Sequence, residues 1–185
     1  MTDKQKKYNE LIVFRCQRGK KAAFEELIQR WERPLFYYIR RLVEDEQQSW
    51  QVLQETWLKV LQGIDRLREP HKLSAWLYSI ARKTAMSYLR KKYSEQTLLM
   101  ENNELHEMEA TSENINFENA ERVHYGLSRL SIYHREVLTL FFIEDLSVKD
   151  IAEVLEIPSG TVKSRLYHAK KALKTLLVKE VCRDE

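Results

Sequence analysis

Residues 146–177 read LSVKDIAEVLEIPSGTVKSRLYHAKKALKTLL, and this stretch decides how the chain is to be understood. Ser147, with Asp150 three residues on, has the spacing of a capping box, and Val148, Ile151, Ala152 and Leu155 give the helix it would start one apolar face. Pro158 is expected to end that helix, and Ser159 to cap a second one in which Val162, Leu166, Ala169, Leu173 and Leu176 recur at steps of four and three. The faces left over are basic: Lys163, Arg165, Lys170, Lys171, Lys174 and Lys179 follow with no acid between 159 and 179. A short amphipathic helix, a tight break and a second helix offering cations and small polar groups fit a helix-turn-helix, whose second helix enters the major groove. The same pattern also fits an antiparallel helix pair with a solvated basic face.

The 185 residues allow one or two small domains, and 43% hydrophobic with 32% charged residues is ordinary for a globular chain. Net charge is only +3, but it is unevenly spread. Residues 1–93 carry +9, residues 94–126 carry −7 and residues 127–185 carry +1. A basic block, an acidic connector and a block with its cations gathered on one helix imply contact with nucleic acid at two separate places. Cys16 and Cys182 form no CxxC pair, which predicts neither a disulfide framework nor a zinc site. The polar start MTDKQKKYNE and the lack of a long apolar run predict no signal peptide or membrane span, hence a cytoplasmic protein.

Upstream, residues 9–43 alternate apolar and charged positions at helical spacing, with Leu11, Ile12, Phe14, Phe24, Leu27, Ile28, Trp31, Leu35, Phe36, Ile39 and Leu42 as core candidates. Gly19 separates two helices, and Pro34 is expected to kink or interrupt the second. In SWQVLQETWLKVLQG, Trp50, Leu53, Trp57 and Leu61 make a predicted inward stripe and Gly63 the stop. AWLYSIARKTAMSYLRKK follows, with Leu73, Leu77, Ile80, Thr84 and Tyr88 along its core edge and cations interleaved with aromatics elsewhere, a surface suited to phosphates and unpaired bases. Trp76 and Tyr78 fit core packing as well as base contact. Residues 94–114 are acidic and lack a sustained stripe, which predicts a flexible linker reaching roughly 70 Å when extended. Helical patterning resumes near Phe117, with Val123, Leu127, Leu130, Val137, Leu138, Leu140, Phe141 and Ile143 as core.

LSxxDIAEVLxIPxGTVKSRLxxAKKAL is very similar to the promoter-reading domain of bacterial sigma factors, particularly the extracytoplasmic-function (ECF) subfamily. FEELIQRWERPLFYYIRRL, the QET–aromatic run Gln54–Glu55–Thr56–Trp57 and AWLYSIAR resemble that family's N-terminal domain. The resemblance implies an all-α protein with a region-two-like domain over 1–93, a flexible acidic linker over 94–114 and a region-four-like helix-turn-helix domain over 115–185. It implies core RNA polymerase bound through Leu53, Gln54, Glu55, Trp57 and Leu58. It assigns His71, Lys72, Trp76, Tyr78, Arg82, Lys83 and Arg90 to the minus-ten element, and Ser159, Thr161, Lys163, Ser164, Arg165, Tyr167, His168, Lys170 and Lys171 to the minus-thirty-five element.

Several positions depart from the family pattern. Glu156 stands where the turn usually has Gly, His168 where Arg is frequent, Lys83 where Asn is usual and Ser87 where Asp is usual. Gln48, Ser49, Trp50 and Gln51 replace an acidic run such as DAED. A turn that kept its backbone at negative φ would accept Glu156 without strain.

The expected function is that of an ECF-type sigma factor, with core polymerase, promoter DNA and an anti-sigma factor as partners, the last able to hold it at a membrane. No cofactor and no small-molecule substrate are expected. No Gly-rich phosphate loop is present, and His71, His106, His124, His134 and His168 form no HExxH or comparable spacing, so an enzyme is not expected. Two other classes fit parts of the chain: a stand-alone helix-turn-helix regulator, and a helical adaptor that binds polymerase without reading DNA.

Overall fold

The computed structural model of the chain describes the backbone of residues 3–100 and 126–181, and among these every regular element is helical. In order they are α1 (Asp3–Gln17), α2 (Lys21–Val43), α3 (Glu46–Gly63), α4 (Leu73–Met100), α5 (Ile132–Leu138), α6 (Val148–Leu155) and α7 (Ser159–Val181). Short 3-10 turns at Ile64–Arg66 and Pro70–Lys72 join α3 to α4, and a π turn at Thr139–Ile143 extends α5. One unit packs α1 to α4 together; the other packs α5 and α6 on α7. Val123 and residues 101–114 of the expected linker lie outside the described residues, whereas residues 94–100 continue α4.

α1 buries Asn9, Ile12, Val13 and Cys16, one face at helical steps, and this corrects the expectation for Leu11 and Phe14, whose side chains are exposed. It closes at Gly19, at φ +70°, where Gly19 N–H donates to the Cys16 carbonyl (2.8 Å) and Lys20 N–H to that of Arg15 (3.2 Å). α2 runs through Pro34 without interruption. Trp31, Leu35, Tyr38, Ile39 and Leu42 are buried on either side of the proline, and this packing outweighs one missing backbone donor.

α3 starts on Asp45, whose carboxylate accepts from Gln48 N–H (2.7 Å). Its buried face is Val52, Leu53, Thr56, Trp57 and Val60; Leu61 points out, and Trp50 lies half-exposed, stacked on Phe36 at 4.1 Å. The predicted stripe was therefore rotated: its outer members are surface residues. Gly63 does end α3, but at a negative φ. Glycine matters here because a Cβ would stand 3.2 Å from the Trp76 ring. Along α4 the buried face is Leu73, Leu77, Ala81, Thr84 and Ala85; of the predicted edge Leu73, Leu77 and Thr84 are buried, whereas Ile80 and Tyr88 are only partly so.

In the second unit Leu127, Leu130, Val137, Leu138 and Leu140 are core, while Phe141 is partly buried and Ile143 is exposed because the π turn re-aims the chain there. The Ser147–Asp150 capping box forms as predicted. α6 ends at Leu155 with the same pair of bonds seen at Gly19: Ile157 N–H donates to the Ala152 carbonyl (3.1 Å) and Glu156 N–H to that of Glu153 (3.4 Å). Glu156 is left-handed, at φ +56°, so the turn keeps the backbone that glycine usually supplies there rather than a negative φ, and a non-glycine residue bears a cost of roughly 1 kcal/mol. Ser159 is the first residue of α7 rather than its cap; Val162 N–H donates to the Pro158 carbonyl instead. Val162, Leu166 and Ala169 are buried and Leu173 and Leu176 pack partly against them, the predicted stripe.

The two units meet along a polar seam. Tyr38 Oη and Arg82 Nε both donate to Glu136 Oε1, each at 2.8 Å, and Tyr78 donates its hydroxyl to Glu144. Arg135 donates to the carbonyls of Arg41, Ser128 and Leu130 at 2.9–3.0 Å and pairs with Glu44. Arg135 and Glu136 are both buried, and a buried charge persists only when paired and hydrogen-bonded, as these are.

Candidate nucleic-acid interface

The reader helix α7 exposes the residues assigned to it. Ser159, Thr161, Lys163, Ser164, Tyr167, His168, Lys170 and Lys171 are all on the solvent side of the buried stripe, and Tyr167 is 63% exposed. Arg165 is half-buried because its guanidinium lies over the Tyr133 ring at 5.1 Å. Lys170 stands 5.9 Å from the Phe142 ring centroid, and Tyr167 meets His168 edge-on at 5.3 Å. Aromatics on α5 and the π turn thus steer two cations of α7 while leaving their heads wet.

On the other unit the assigned minus-ten residues divide. Lys72, Trp76 and Lys83 line one cleft of about 430 Å³, together with Arg66 and Arg68. Trp76 is held there by its ring's contact with Gly63. His71 is exposed beside Glu69 (3.7 Å), and Arg90, also exposed, donates back to the Met86 carbonyl (3.3 Å). Tyr78 must be corrected. It is 1% exposed, edge-on to Tyr38 and Trp31 and bonded to Glu144, so it is a packing residue and offers no face to a base. Arg82 is committed to Glu136.

The cleft has a wall that the sequence did not announce. Glu153 and Glu156, from α6 and its closing turn, line it as well. Lys72 Nζ is 3.0 Å from Glu153 and 3.2 Å from Glu69; Lys83 Nζ is 2.7 Å from Glu156. The hydrogen bonds that Lys72 donates to Glu153 and Glu69 raise its pKa above the ordinary value, and the Lys83 ammonium holds the Glu156 carboxyl below the ordinary range.

Of the five residues assigned to polymerase, Gln54, Glu55 and Leu58 are exposed, Leu58 by 59%. Leu53 and Trp57 are core, as the stripe predicted, and this corrects the polymerase contact that the resemblance assigned to them: Trp57 is 8% exposed. Glu55 is paired with Lys59 at 2.6 Å. The outer face of α3 therefore includes Trp50, Leu58 and Leu61 beside Gln51, Gln54, Glu55, Lys59 and Gln62, more apolar than the expected polar surface. A 3.6-residue period with apolar residues on both flanks could not say which flank was inside.

Sigma-70 region 2 matches residues 27–95, and sigma-70 region 4 matches residues 120–173. The chain is 32% identical over 175 residues to the RNA polymerase sigma-H factor of Pseudomonas aeruginosa, covering 88% of this chain and 90% of that protein. The chain belongs to the sigma-70 family, as an ECF-type sigma factor. The ECF RNA polymerase sigma-E factor of Escherichia coli is 28% identical over 176 residues, 89% of this chain and 92% of that one. Two solved structures share the fold. CnrH, in complex with the cytosolic domain of CnrY, superposes with a TM-score of 0.68 at 21% identity, covering 92% of this sigma factor and 97% of CnrH. RpoE of Bartonella quintana, in complex with the anti-sigma factor NepR, gives 0.69 at 22% identity over 83% of this chain and 96% of that one. As an ECF-type sigma factor the protein directs RNA polymerase to promoters. Among its described residues no helix is long and apolar enough to cross a membrane.

Proposed function

We propose that this sigma factor divides promoter recognition between two surfaces. The first, over 1–93, grips core polymerase through Gln54, Glu55 and Leu58, extended by Trp50 and Leu61, and receives the melted minus-ten strand at Lys72, Trp76 and Lys83. The second, over 115–185, reads the minus-thirty-five element with Thr161, Ser164, Tyr167 and His168 toward base edges and Lys163, Arg165, Lys170 and Lys171 toward phosphates. Residues 94–114 connect the two. The observation that carries this reading is α7 itself: an apolar stripe seated in the core, with small polar and cationic side chains on the exposed arc of the same helix.

The polymerase surface rests on the exposed apolar side chains of α3, which compensate for the missing acidic run, since apolar anchors contribute more to affinity than rim charge does. The protein acts in the cytoplasm and is held inactive by an anti-sigma factor; both solved relatives described above were captured with a partner of their own. Pull-down of core polymerase by the full chain, followed by transcription from a cognate promoter, tests the assignment. Polymerase bound without promoter-dependent transcripts would favour an adaptor; DNA bound without polymerase would favour a stand-alone regulator.

A further inference from the structure

Among the described residues, three non-glycine positions have a positive φ: Glu44 at +67°, Asp145 at +52° and Glu156 at +56°. Left-handed backbone is disfavoured for glutamate, though aspartate adopts it more readily, and strain of this sort persists only where its surroundings over-determine it. All three lie on the seam between the two units. Glu44, closing α2, pairs with Arg135 of α5. Asp145 lines a second cleft of about 370 Å³ with Arg30, Trp31, Pro34 and Tyr78 of the other unit. Glu156 reaches across to Lys83. Gly19 closes α1 with the same bonds that close α6, so a glycine could have served at position 156 without strain. A glycine there would have no carboxylate. Lys83 and Glu156 are also two of the places where the sequence leaves the pattern it resembles, and they meet each other at 2.7 Å.

From this geometry we infer that the seam is a latch: in the closed form Glu153 and Glu156 occupy the phosphate positions beside Lys72 and Lys83, so that the chain's own reader unit competes with single-stranded promoter DNA for the minus-ten cleft. The inference rests on the assignment of that cleft to the minus-ten strand. Both acids approach the cations at ion-pair distance, as phosphate oxygens would, and both line the cleft that Trp76 floors. The exposed Lys72 and Lys83 pairs are individually weak and screened by salt, which makes them displaceable by a polyanion that also releases counterions. Beneath them the buried bonds of Glu136 hold the units in register. The face of α7 and the outer face of α3 stay exposed in the closed form, so the latch covers the minus-ten cleft and leaves those two surfaces free.

The test uses the full chain and a fluorescein-labelled twelve-nucleotide single strand of mixed sequence, with a pair of spin labels on cysteines placed at Gln62 and Lys163 to report the separation of the units. Glu156→Gly relieves backbone strain, so folding is not at risk. Combined with Glu153→Gln it should tighten binding of the strand by roughly threefold to tenfold at low salt and broaden the label distance. Glu156→Lys should open the seam, and adding Lys83→Glu should close it again. Lys72→Ala in the opened background should lose the gained affinity. A gain under twofold with an unchanged distance overturns the latch. Opening without any gain in affinity overturns the competition by a different route, since it shows that the minus-ten assignment of the cleft has failed while the latch remains.

Discussion

Arg82 and Glu136, 54 positions apart, meet at 2.8 Å, and the Glu136 oxygen that receives the guanidinium also accepts the Tyr38 hydroxyl. Burial raises the Glu136 pKa above the ordinary carboxylate value, and the Arg82 charge and the Tyr38 hydroxyl work against that rise. Glu136→Ala leaves Arg82 and Tyr38 without their acceptor. It should destabilise the chain by about 2–3 kcal/mol, less than the roughly 3–5 kcal/mol of a wholly buried pair because Arg82 keeps some access to water. Urea unfolding gives the value, and a loss under about 0.5 kcal/mol would mean that the seam does not contribute to the native state.

Glu144 supplies a pH dependence. Burial pushes its carboxyl up to about 7, with the Tyr78 hydroxyl opposing the shift. A carboxyl whose folded pKa is raised contributes stability that is fully present below about 4.5 and is lost as pH rises through about 7. Glu144→Gln, neutral throughout, should therefore gain stability relative to the parent between pH 5 and pH 8. Thermal melts of both proteins at the two pH values decide it; an identical difference at each would place the Glu144 carboxylate in water.

Gly126 packs against α7 so closely that a Cβ would stand 2.8 Å from Leu173 Cδ1 and 3.2 Å from Leu177 Cδ2. Alanine is the better helix former by about 1 kcal/mol, but overpacking costs about 1–3 kcal/mol. Gly126→Ala should be destabilising on balance, and Leu173→Ala should cost less in that background than in the parent. A double-mutant cycle from denaturant melts reads the coupling.

Trp57 and Leu58 are neighbours in sequence, about 100° apart around α3, and the first is buried while the second is exposed. Trp57→Ala should cost about 3–5 kcal/mol of stability through the cavity it leaves. Leu58→Ala should change stability by less than about 0.5 kcal/mol and still weaken capture of core polymerase. Equal polymerase binding by Leu58→Ala and the parent would move the docking surface off this face.

On α7, Ser164→Ala should lose about 1 kcal/mol or more on the preferred minus-thirty-five duplex and little on a scrambled one, as expected of a base contact. Lys170→Ala should weaken both duplexes alike and lower the slope of log affinity against log salt by about one. Titrations of both variants on both duplexes at several salt concentrations separate the roles, and an unchanged slope for Lys170→Ala would take its ammonium off the phosphates.

The helix-turn-helix was legible in the sequence because its determinants are local: a capping box needs only Ser147 and Asp150, and the α7 stripe needs only a repeat of three and four. The face that α7 presents followed from the same repeat. Where both flanks of a helix are apolar, periodicity gives the repeat but not its phase. Leu11, Phe14, Trp50 and Leu61 were therefore expected inside and lie outside, while Leu53 and Trp57, which the spacing put inside and only the resemblance put on polymerase, are packed, as is Tyr78. Only the tertiary structure could pair Lys72 with Glu153, Lys83 with Glu156 and Arg82 with Glu136, because those partners are 81, 73 and 54 positions apart and no local rule relates a charge to another so distant. Two acids that look in sequence like ordinary solvated residues of a short helix and its turn thereby come to stand in the cleft where the other unit gathers its cations.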